Sequence, residues 1–198
     1  MNQYIKISLS IIVLIFIIVI SSVAYNSLKG KYAKNDSLIS KDNEKNTDSK
    51  GKNEDKKVKA VDFTVVDKDN VEITLKSVIG KGKPIVINFW ASWCPPCKSE
   101  MPNFQKVYEE LGEKVQFLMV NVTDGSRETK TTAFDYIESK GYTFPVYYDS
   151  NQSATYAYYI SAMPTTFFIN KNGDIITSVQ GAIDEKILRK GILKAIEN

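Results

Sequence analysis

The sequence predicts an α/β domain in which helices flank a central mixed sheet. Residues 84–90 and 115–122 form nearly continuous apolar runs, as in strands that are buried on both faces. Between these runs, residues 95–111 carry apolar side chains at helical spacing, so the three elements predict a right-handed βαβ unit. Two later strands, at residues 165–169 and 175–180, are separated by turn-forming residues and predict an antiparallel pair.

The sheet is predicted to begin with an N-terminal β-hairpin extension. Two short alternating runs, at residues 61–66 and 71–75, flank turn residues, which is the pattern of a hairpin. After the βαβ unit, residues 127–140 are predicted as a helix that ends at Gly141, and residues 144–148 as a further strand. Helices and strands therefore alternate through the middle of the domain.

Two more helices complete the predicted domain. A short helix at residues 152–159 carries three tyrosines that are predicted to be packing residues, Tyr156, Tyr158 and Tyr159. The last helix is predicted to follow the N-cap residue Asp184. Its predicted core face comprises Leu188, Ile192, Ala195 and Ile196.

The N-terminal residues 1–28 are predicted to be a membrane anchor or a signal segment. Residues 7–28 carry no charge, and as a helix they would span about 33 Å, close to the roughly 30 Å of a bilayer core. A cleaved secretory signal is the alternative, because Lys6 precedes the apolar run and small residues occur at 22–24. Either outcome places the rest of the chain outside the cytoplasm, held at the cell membrane by a single N-terminal pass or secreted after cleavage.

The net charge of +3 does not belong to the predicted folded domain, residues 58–198. Residues 29–57 carry nine lysines and six acids with few large apolar side chains, so they predict a flexible charged tether. The folded domain has 16 basic and 17 acidic residues. We therefore expect no nucleic-acid partner, since the basic excess lies in the tether and the anchor segment.

The composition excludes several kinds of catalytic site. The 198 residues include no histidine, so Ser-His-Asp triads, Cys-His pairs and histidine metal ligands are impossible. The two cysteines are too few for a disulfide scaffold or a closed four-ligand zinc site. We accordingly predict no metal site and no cofactor.

The two cysteines, Cys94 and Cys97, follow a predicted buried strand and open a predicted helix. The helix N-terminus favours a thiolate and so lowers the pKa of Cys94. The spacing brings Cys97 within reach of a disulfide to Cys94, so Cys94 is the candidate nucleophile and Cys97 the candidate resolving residue. Pro95 and Pro96 lack N–H groups, which predicts a milder fall of that pKa. A structural disulfide and a metal carrier remain the alternatives.

Two segments resemble a known family: residues 88–102 (NFWASWCPPCKSEMP) and 163–169 (MPTTFFI). They are similar to the thioredoxin superfamily, and within it to the TlpA-like and ResA-like membrane-anchored thiol-disulfide oxidoreductases. The resemblance covers residues 58–198 and implies a thioredoxin-like fold. It implies an extracytoplasmic enzyme that reduces specific protein disulfides by Cys94/Cys97 exchange, with its redox-active disulfide in place of a cofactor.

The resemblance also implies further site residues. The Met163–Pro164 peptide is expected to be cis and to face the disulfide, with Met163 offering backbone groups to an extended substrate. Trp93 is expected to cover the disulfide, next to Pro95 and Pro96. Glu100 matches a functional glutamate of ResA-like proteins, where a buried carboxyl with a raised pKa could relay a proton to Cys97.

Alternatives remain open for Glu100 and for the direction of the reaction. A solvated first-turn glutamate is the other interpretation of Glu100. Thioredoxin has a buried aspartate where this chain has Asn88, and an asparagine cannot titrate. The resemblance implies apocytochrome c, sporulation proteins or a methionine sulfoxide reductase as clients, and a CcdA/DsbD-like membrane protein as electron donor. A disulfide-forming oxidase is the main alternative, followed by a peroxiredoxin-like peroxidase and a metal-binding or interaction module.

Overall fold

The computed structural model describes residues 58–198. The predicted anchor or signal segment at 1–28 and the predicted tether at 29–57 lie outside the described residues. In chain order the elements are β1 (Val58–Lys59), β2 (Thr64–Val66), β3 (Glu72–Thr74), α1 (Leu75–Ile79), β4 (Ile85–Trp90), α2 (Pro95–Leu111), β5 (Gln116–Asn121), α3 (Lys130–Lys140), β6 (Val146–Tyr148), α4 (Ser153–Ala157), β7 (Thr165–Ile169), β8 (Asp174–Gln180) and α5 (Glu185–Glu197). Among these helices, none has the length and apolar character needed to cross a membrane.

Strand β4 lies inside an eight-stranded sheet with the order β1-β8-β7-β4-β5-β6-β2-β3. It pairs parallel with β5 and antiparallel with β7, which confirms the predicted mixed sheet. Strand β6 extends the parallel part beside β5, and β8 pairs antiparallel with β7. The βαβ unit of β4, α2 and β5 therefore forms the middle of the domain.

Alternate side chains of β4 enter two separate cores. Ile87 and Phe89 contribute to one core, which α1 and α4 cover. Val86 and Trp90 contribute to the other, which α2, α3 and α5 cover. Since strand side chains alternate between faces, Asn88 lies on the same face as Val86 and Trp90. This places a polar amide beneath helix α2.

The N-terminal part of the domain differs in detail from the prediction. Strands β2 and β3 pair antiparallel as a hairpin, but the predicted strand at 71–75 ends at Thr74. The Thr74 side chain accepts a hydrogen bond from the Ser77 N–H and caps α1, which the sequence analysis missed. Strand β1 was also missed, because only two residues pair with β8.

Helix α3 begins at Lys130, three residues later than predicted. The Asp124 carboxylate accepts hydrogen bonds from the Ser126 and Glu128 N–H groups and holds residues 124–128 in a loop. Thr129 then caps the helix by accepting from the Thr132 N–H. The delayed start directs this loop toward the segment that precedes Cys94.

Helix α5 packs on the sheet, and three of the four residues predicted for its core face are buried. Leu188, Ile192 and Ala195 are buried as expected, whereas Ile196 is 48% exposed. At about 100° per residue, Ile196 lies roughly 80° from Leu188 on one side, while Gly191 lies on the other side and is buried. A Cβ at Gly191 would overlap the Phe168 ring, so glycine permits this close approach.

The prediction that three tyrosines of the α4 region pack in the interior is correct only for Tyr158. Tyr158 is 8% exposed and contacts the Phe63 and Phe167 rings. Tyr156 is 70% exposed and Tyr159 is 89% exposed. Helix α4 ends at Ala157, so Tyr159 lies outside the helix, in the segment that follows it.

Candidate active site

Cys94 and Cys97 form a disulfide at the junction of β4 and α2. Cys94 is the N-cap residue of α2, with extended backbone, and its Sγ accepts a hydrogen bond of 3.3 Å from the Cys97 N–H. The Cα atoms are 5.3 Å apart, and the residues are 3% and 0% exposed. Helix α2 continues through Pro102 to Leu111. The strand thus delivers Cys94 to the positive end of a 17-residue helix.

The side chains that surround the disulfide at the protein surface come from the residues next to Cys94 in sequence and from Arg127. Pro95 and Pro96 occupy the first two helical positions and are exposed. Trp93 is half-buried and packs against the core that contains both cysteines. The Arg127 guanidinium lies over the Trp93 ring, 3.5 Å from its centroid. This is a close cation–π contact between the loop at 124–128 and the residue before Cys94.

The segment before β7 approaches the same sulfur. The Met163–Pro164 peptide bond is cis, and Pro164 is buried. The Met163 carbonyl oxygen lies 3.7 Å from Cys94 Sγ. The structure therefore brings residues 94 and 163, which are 69 positions apart, into contact.

Glu100 is buried on α2, with 1% of its surface exposed. Its Oε1 accepts a hydrogen bond of 2.8 Å from Asn88 Nδ2, and its Oε2 accepts one of 2.9 Å from the Ile183 N–H. Burial raises the pKa of Glu100 to about 7, although both hydrogen bonds favour the ionised form and oppose that rise. The Asn88 amide also donates to Thr166 Oγ1 at 3.0 Å. Of the two interpretations of Glu100, the buried one matches the structure.

A second buried carboxylate, Glu128, was missed by the sequence analysis. Its Oε1 accepts hydrogen bonds from the Ser92 N–H at 2.8 Å and from Asn121 Nδ2 at 2.6 Å. Its Oε2 accepts from the Ser92 hydroxyl at 2.7 Å. Glu128 is 0% exposed and fixes the backbone two residues before Cys94. No local signal identifies it, because it follows a polar turn and its partner Ser92 is 36 residues away.

Residues 58–198 contain no group of three or more cysteine, aspartate or glutamate side chains that could hold a metal ion. The arrangement of Cys94, Cys97, Glu100 and Met163 instead provides a reducible disulfide, a buried titratable carboxyl and a backbone acceptor.

Comparison with known proteins agrees with this chemistry. The AhpC/TSA family matches residues 57–178. The ResA thiol-disulfide oxidoreductase of Oceanobacillus iheyensis is 41% identical over 115 residues, which cover 58% of this chain and 57% of that protein. ResA of Bacillus subtilis is 34% identical over 130 residues, covering 65% of this chain and 69% of that protein.

The fold has a solved counterpart in StoA from Bacillus subtilis. That crystal structure superimposes with a TM-score of 0.58 at 29% identity, covering 67% of this chain and 96% of StoA. The similarity confirms the thioredoxin-like fold that the sequence predicted. This chain belongs to the AhpC/TSA family and is one of the ResA-type thiol-disulfide oxidoreductases.

Proposed function

We propose that this oxidoreductase works outside the cytoplasm as a reductant of specific protein disulfides. The observation that carries the proposal is the Cys94–Cys97 pair at the N-terminus of α2, with the Met163 carbonyl 3.7 Å from Cys94 Sγ. A purely structural disulfide would add little stability here, because a bridge between residues three positions apart closes almost no loop.

The exchange takes place in two steps. The Cys94 thiolate of the reduced protein attacks one sulfur of the substrate disulfide, which forms a mixed disulfide and releases the first substrate thiol. The Cys97 thiolate then attacks Cys94 Sγ, which releases the second substrate thiol and closes the Cys94–Cys97 bond. Two electrons pass to the substrate. The helix N-terminus and the Cys97 N–H stabilise the Cys94 thiolate in the first step.

Glu100 is the proposed proton carrier for Cys97. The second step needs a Cys97 thiolate, and the chain has no histidine to take the proton. Glu100 lies three residues after Cys97, one helical turn along α2. With its pKa raised to about 7, the carboxyl exists in both protonation states near neutral pH. It can therefore accept the Cys97 proton in one half of the cycle and return it in the other.

The substrate-binding edge comprises Trp93, Pro95, Pro96, Met163 and Pro164. Pro95 and Pro96 are exposed beside the buried Cys94, so an approaching disulfide meets them first. Met163 precedes β7 and offers its backbone to an extended substrate in the manner of an added strand. The Arg127 guanidinium stacks on the Trp93 ring and holds that side chain in place at this edge.

The proposed cellular setting is based on the sequence and on the family resemblance. Residues 7–28 form the proposed membrane anchor, and the charged residues 29–57 form the tether, with the catalytic domain at 58–198. Apocytochrome c, sporulation proteins and a methionine sulfoxide reductase are the proposed client classes, and a CcdA/DsbD-like membrane protein is the proposed electron donor. The redox-active disulfide is the only redox group proposed.

A trapping experiment with the full chain in a bacterial envelope tests the proposal. Cys97→Ser removes the resolving thiol, so mixed disulfides through Cys94 should accumulate and identify both clients and donor by mass spectrometry. The control, Cys94→Ser with Cys97→Ser, should capture nothing. Absence of trapped partners with Cys97→Ser would contradict the proposal. Peroxide consumption that survives Cys97→Ser would favour a peroxidase instead.

A further inference from the structure

Two tyrosines near the end of α4 expose their rings to solvent. Tyr156 is 70% exposed and Tyr159 is 89% exposed, the largest exposed fractions among the large apolar side chains of residues 58–198. Neither ring takes part in an aromatic pair within that described region, whereas the neighbouring Tyr158 contacts three other rings. Packing inside the domain therefore does not account for Tyr156 and Tyr159.

The backbone of Tyr159 is strained as well as exposed. Its φ is +50°, in the left-handed region that favours glycine. The Tyr159 N–H bonds to the Tyr156 carbonyl at 3.2 Å, and the Ile160 N–H bonds to the Thr155 carbonyl at 3.0 Å. This is the hydrogen-bond pattern of a helix end at which glycine usually occupies the left-handed position. A bulky ring here destabilises the fold without packing against it, which points to a role outside the domain.

The strained tyrosine belongs to the segment that reaches the disulfide. Tyr159 is four residues before Met163, so their Cα atoms are at most about 14 Å apart. The residues between include the small, exposed Ser161 and Ala162. Met163 in turn lies 3.7 Å from Cys94 Sγ through its carbonyl oxygen. A polypeptide that extends along Met163 for about four residues spans about 14 Å, which equals the upper limit of the separation between Met163 and Tyr159.

We propose that Tyr156 and Tyr159 form a contact surface for the polypeptide chain of the client protein, several residues away from the disulfide being reduced. The inference rests on the proposed function and adds a recognition site to it. Tyrosine suits this role because its rigid ring offers a large contact area with little loss of conformational freedom. The surface binds apolar side chains of an extended client segment, so it speeds the reduction of protein disulfides and leaves the reduction of small disulfides unaffected.

Tyr159→Gly tests the inference, because glycine fits the left-handed backbone and removes only the ring. The reduced full-length protein is mixed with a twelve-residue peptide that contains one disulfide and an apolar flank, and separately with 5,5′-dithiobis(2-nitrobenzoate). We expect an unchanged or higher melting temperature, an about tenfold fall in the rate constant for the peptide and no change for the small disulfide. Tyr159→Phe should keep the wild-type rate constants.

Gln152→Gly is the matched control, since Gln152 has φ +57° at the other end of α4. It should relieve similar strain and leave both rate constants unchanged. Equal peptide rates for Tyr159→Gly and wild type would overturn the inference, as would a parallel loss with the small disulfide or an equal loss in Gln152→Gly. A wild-type dimer that Tyr159→Gly converts to monomer would assign the surface to a second copy, which also overturns it. If wild type reduces neither probe, the proposed function itself fails.

Discussion

The two buried carboxylates of the site, Glu100 and Glu128, differ in what holds them. Each oxygen of Glu100 has one neutral donor, from Asn88 and from the Ile183 backbone. Glu128 receives three hydrogen bonds, two of them from a single residue, Ser92. Glu100 lies on the helix that follows the motif, and Glu128 lies on a loop that holds the segment before it. The two carboxylates therefore differ in the number and origin of their donors and in the segment of the motif that each one contacts.

This difference assigns separate tasks to the two groups. Glu100, with one donor on each oxygen, has its pKa raised to about 7 by burial and is suited to carry a proton. Glu128 connects Ser92 to Asn121 at the end of β5, so it positions the backbone that leads into Cys94. Glu128 thus supports the segment that leads into Cys94, and Glu100, one helical turn after Cys97, is the proposed proton carrier.

The largest expected effect is on stability, from Glu128→Ala. The substitution leaves the Ser92 N–H, the Ser92 hydroxyl and the Asn121 amide without their acceptor in a buried place, which should lower the free energy of unfolding by about 3–5 kcal/mol. Urea unfolding of the oxidised protein measures it. Glu128→Gln keeps one carbonyl acceptor and should lose roughly half as much. A loss below about 1 kcal/mol for Glu128→Ala would mean that the hydrogen bonds of Glu128 contribute little to the stability of the domain.

The next effect is the pH dependence of stability that Glu100 produces. Its folded pKa of about 7 exceeds the ordinary value of 4.5, so the native state binds more protons between these values. This contribution is fully present below pH 4.5 and is lost as pH rises through 7, which lowers the free energy of unfolding by about 3 kcal/mol. Urea unfolding across pH 4–8 measures the slope. Glu100→Gln should flatten it, and a slope that persists in this variant contradicts the assignment.

A smaller effect is expected on the kinetics of the second exchange step. Glu100→Gln keeps the shape but cannot carry a proton, so attack by Cys97 on the mixed disulfide should slow about 100-fold near neutral pH. The first step, attack by Cys94, should keep its rate. Stopped-flow fluorescence with a peptide disulfide separates the two steps. The control is Glu109→Gln, an exposed glutamate of the same helix that should behave as wild type; an equal loss in both steps for Glu100→Gln would exclude the proton-carrier role.

Sequence patterns were sufficient for the parts of the site that local structure determines. The apolar run at 84–90 and the helical spacing after it placed Cys94 at a strand-to-helix junction, where the structure has it. Glu100 was identified through the resemblance, but its burial depends on Asn88 and the Ile183 backbone, which lie on other elements. Spacing within α2 could not supply that information.

The missed features depend on contacts between distant segments or on very short elements. Glu128 follows a polar turn, so its sequence context predicts a solvated side chain. It is buried because the fold brings Ser92, 36 residues away, into hydrogen-bond contact with it. Helix α1 has five residues, too few for a clear helical period. The expectation that aromatic residues pack in the interior is wrong for Tyr159. Its backbone is left-handed, with φ +50°, and its side chain is exposed to solvent.

The reduction potential of the Cys94/Cys97 couple in the full-length protein tests the central claim most directly. Equilibration with glutathione or dithiothreitol buffers, read by alkylation and mass spectrometry, gives the value. A reductant should have a potential near the roughly −270 mV of thioredoxin, at which transfer of two electrons to client disulfides is favourable. A potential near about −120 mV would instead make the protein a disulfide-forming oxidase and contradict the account.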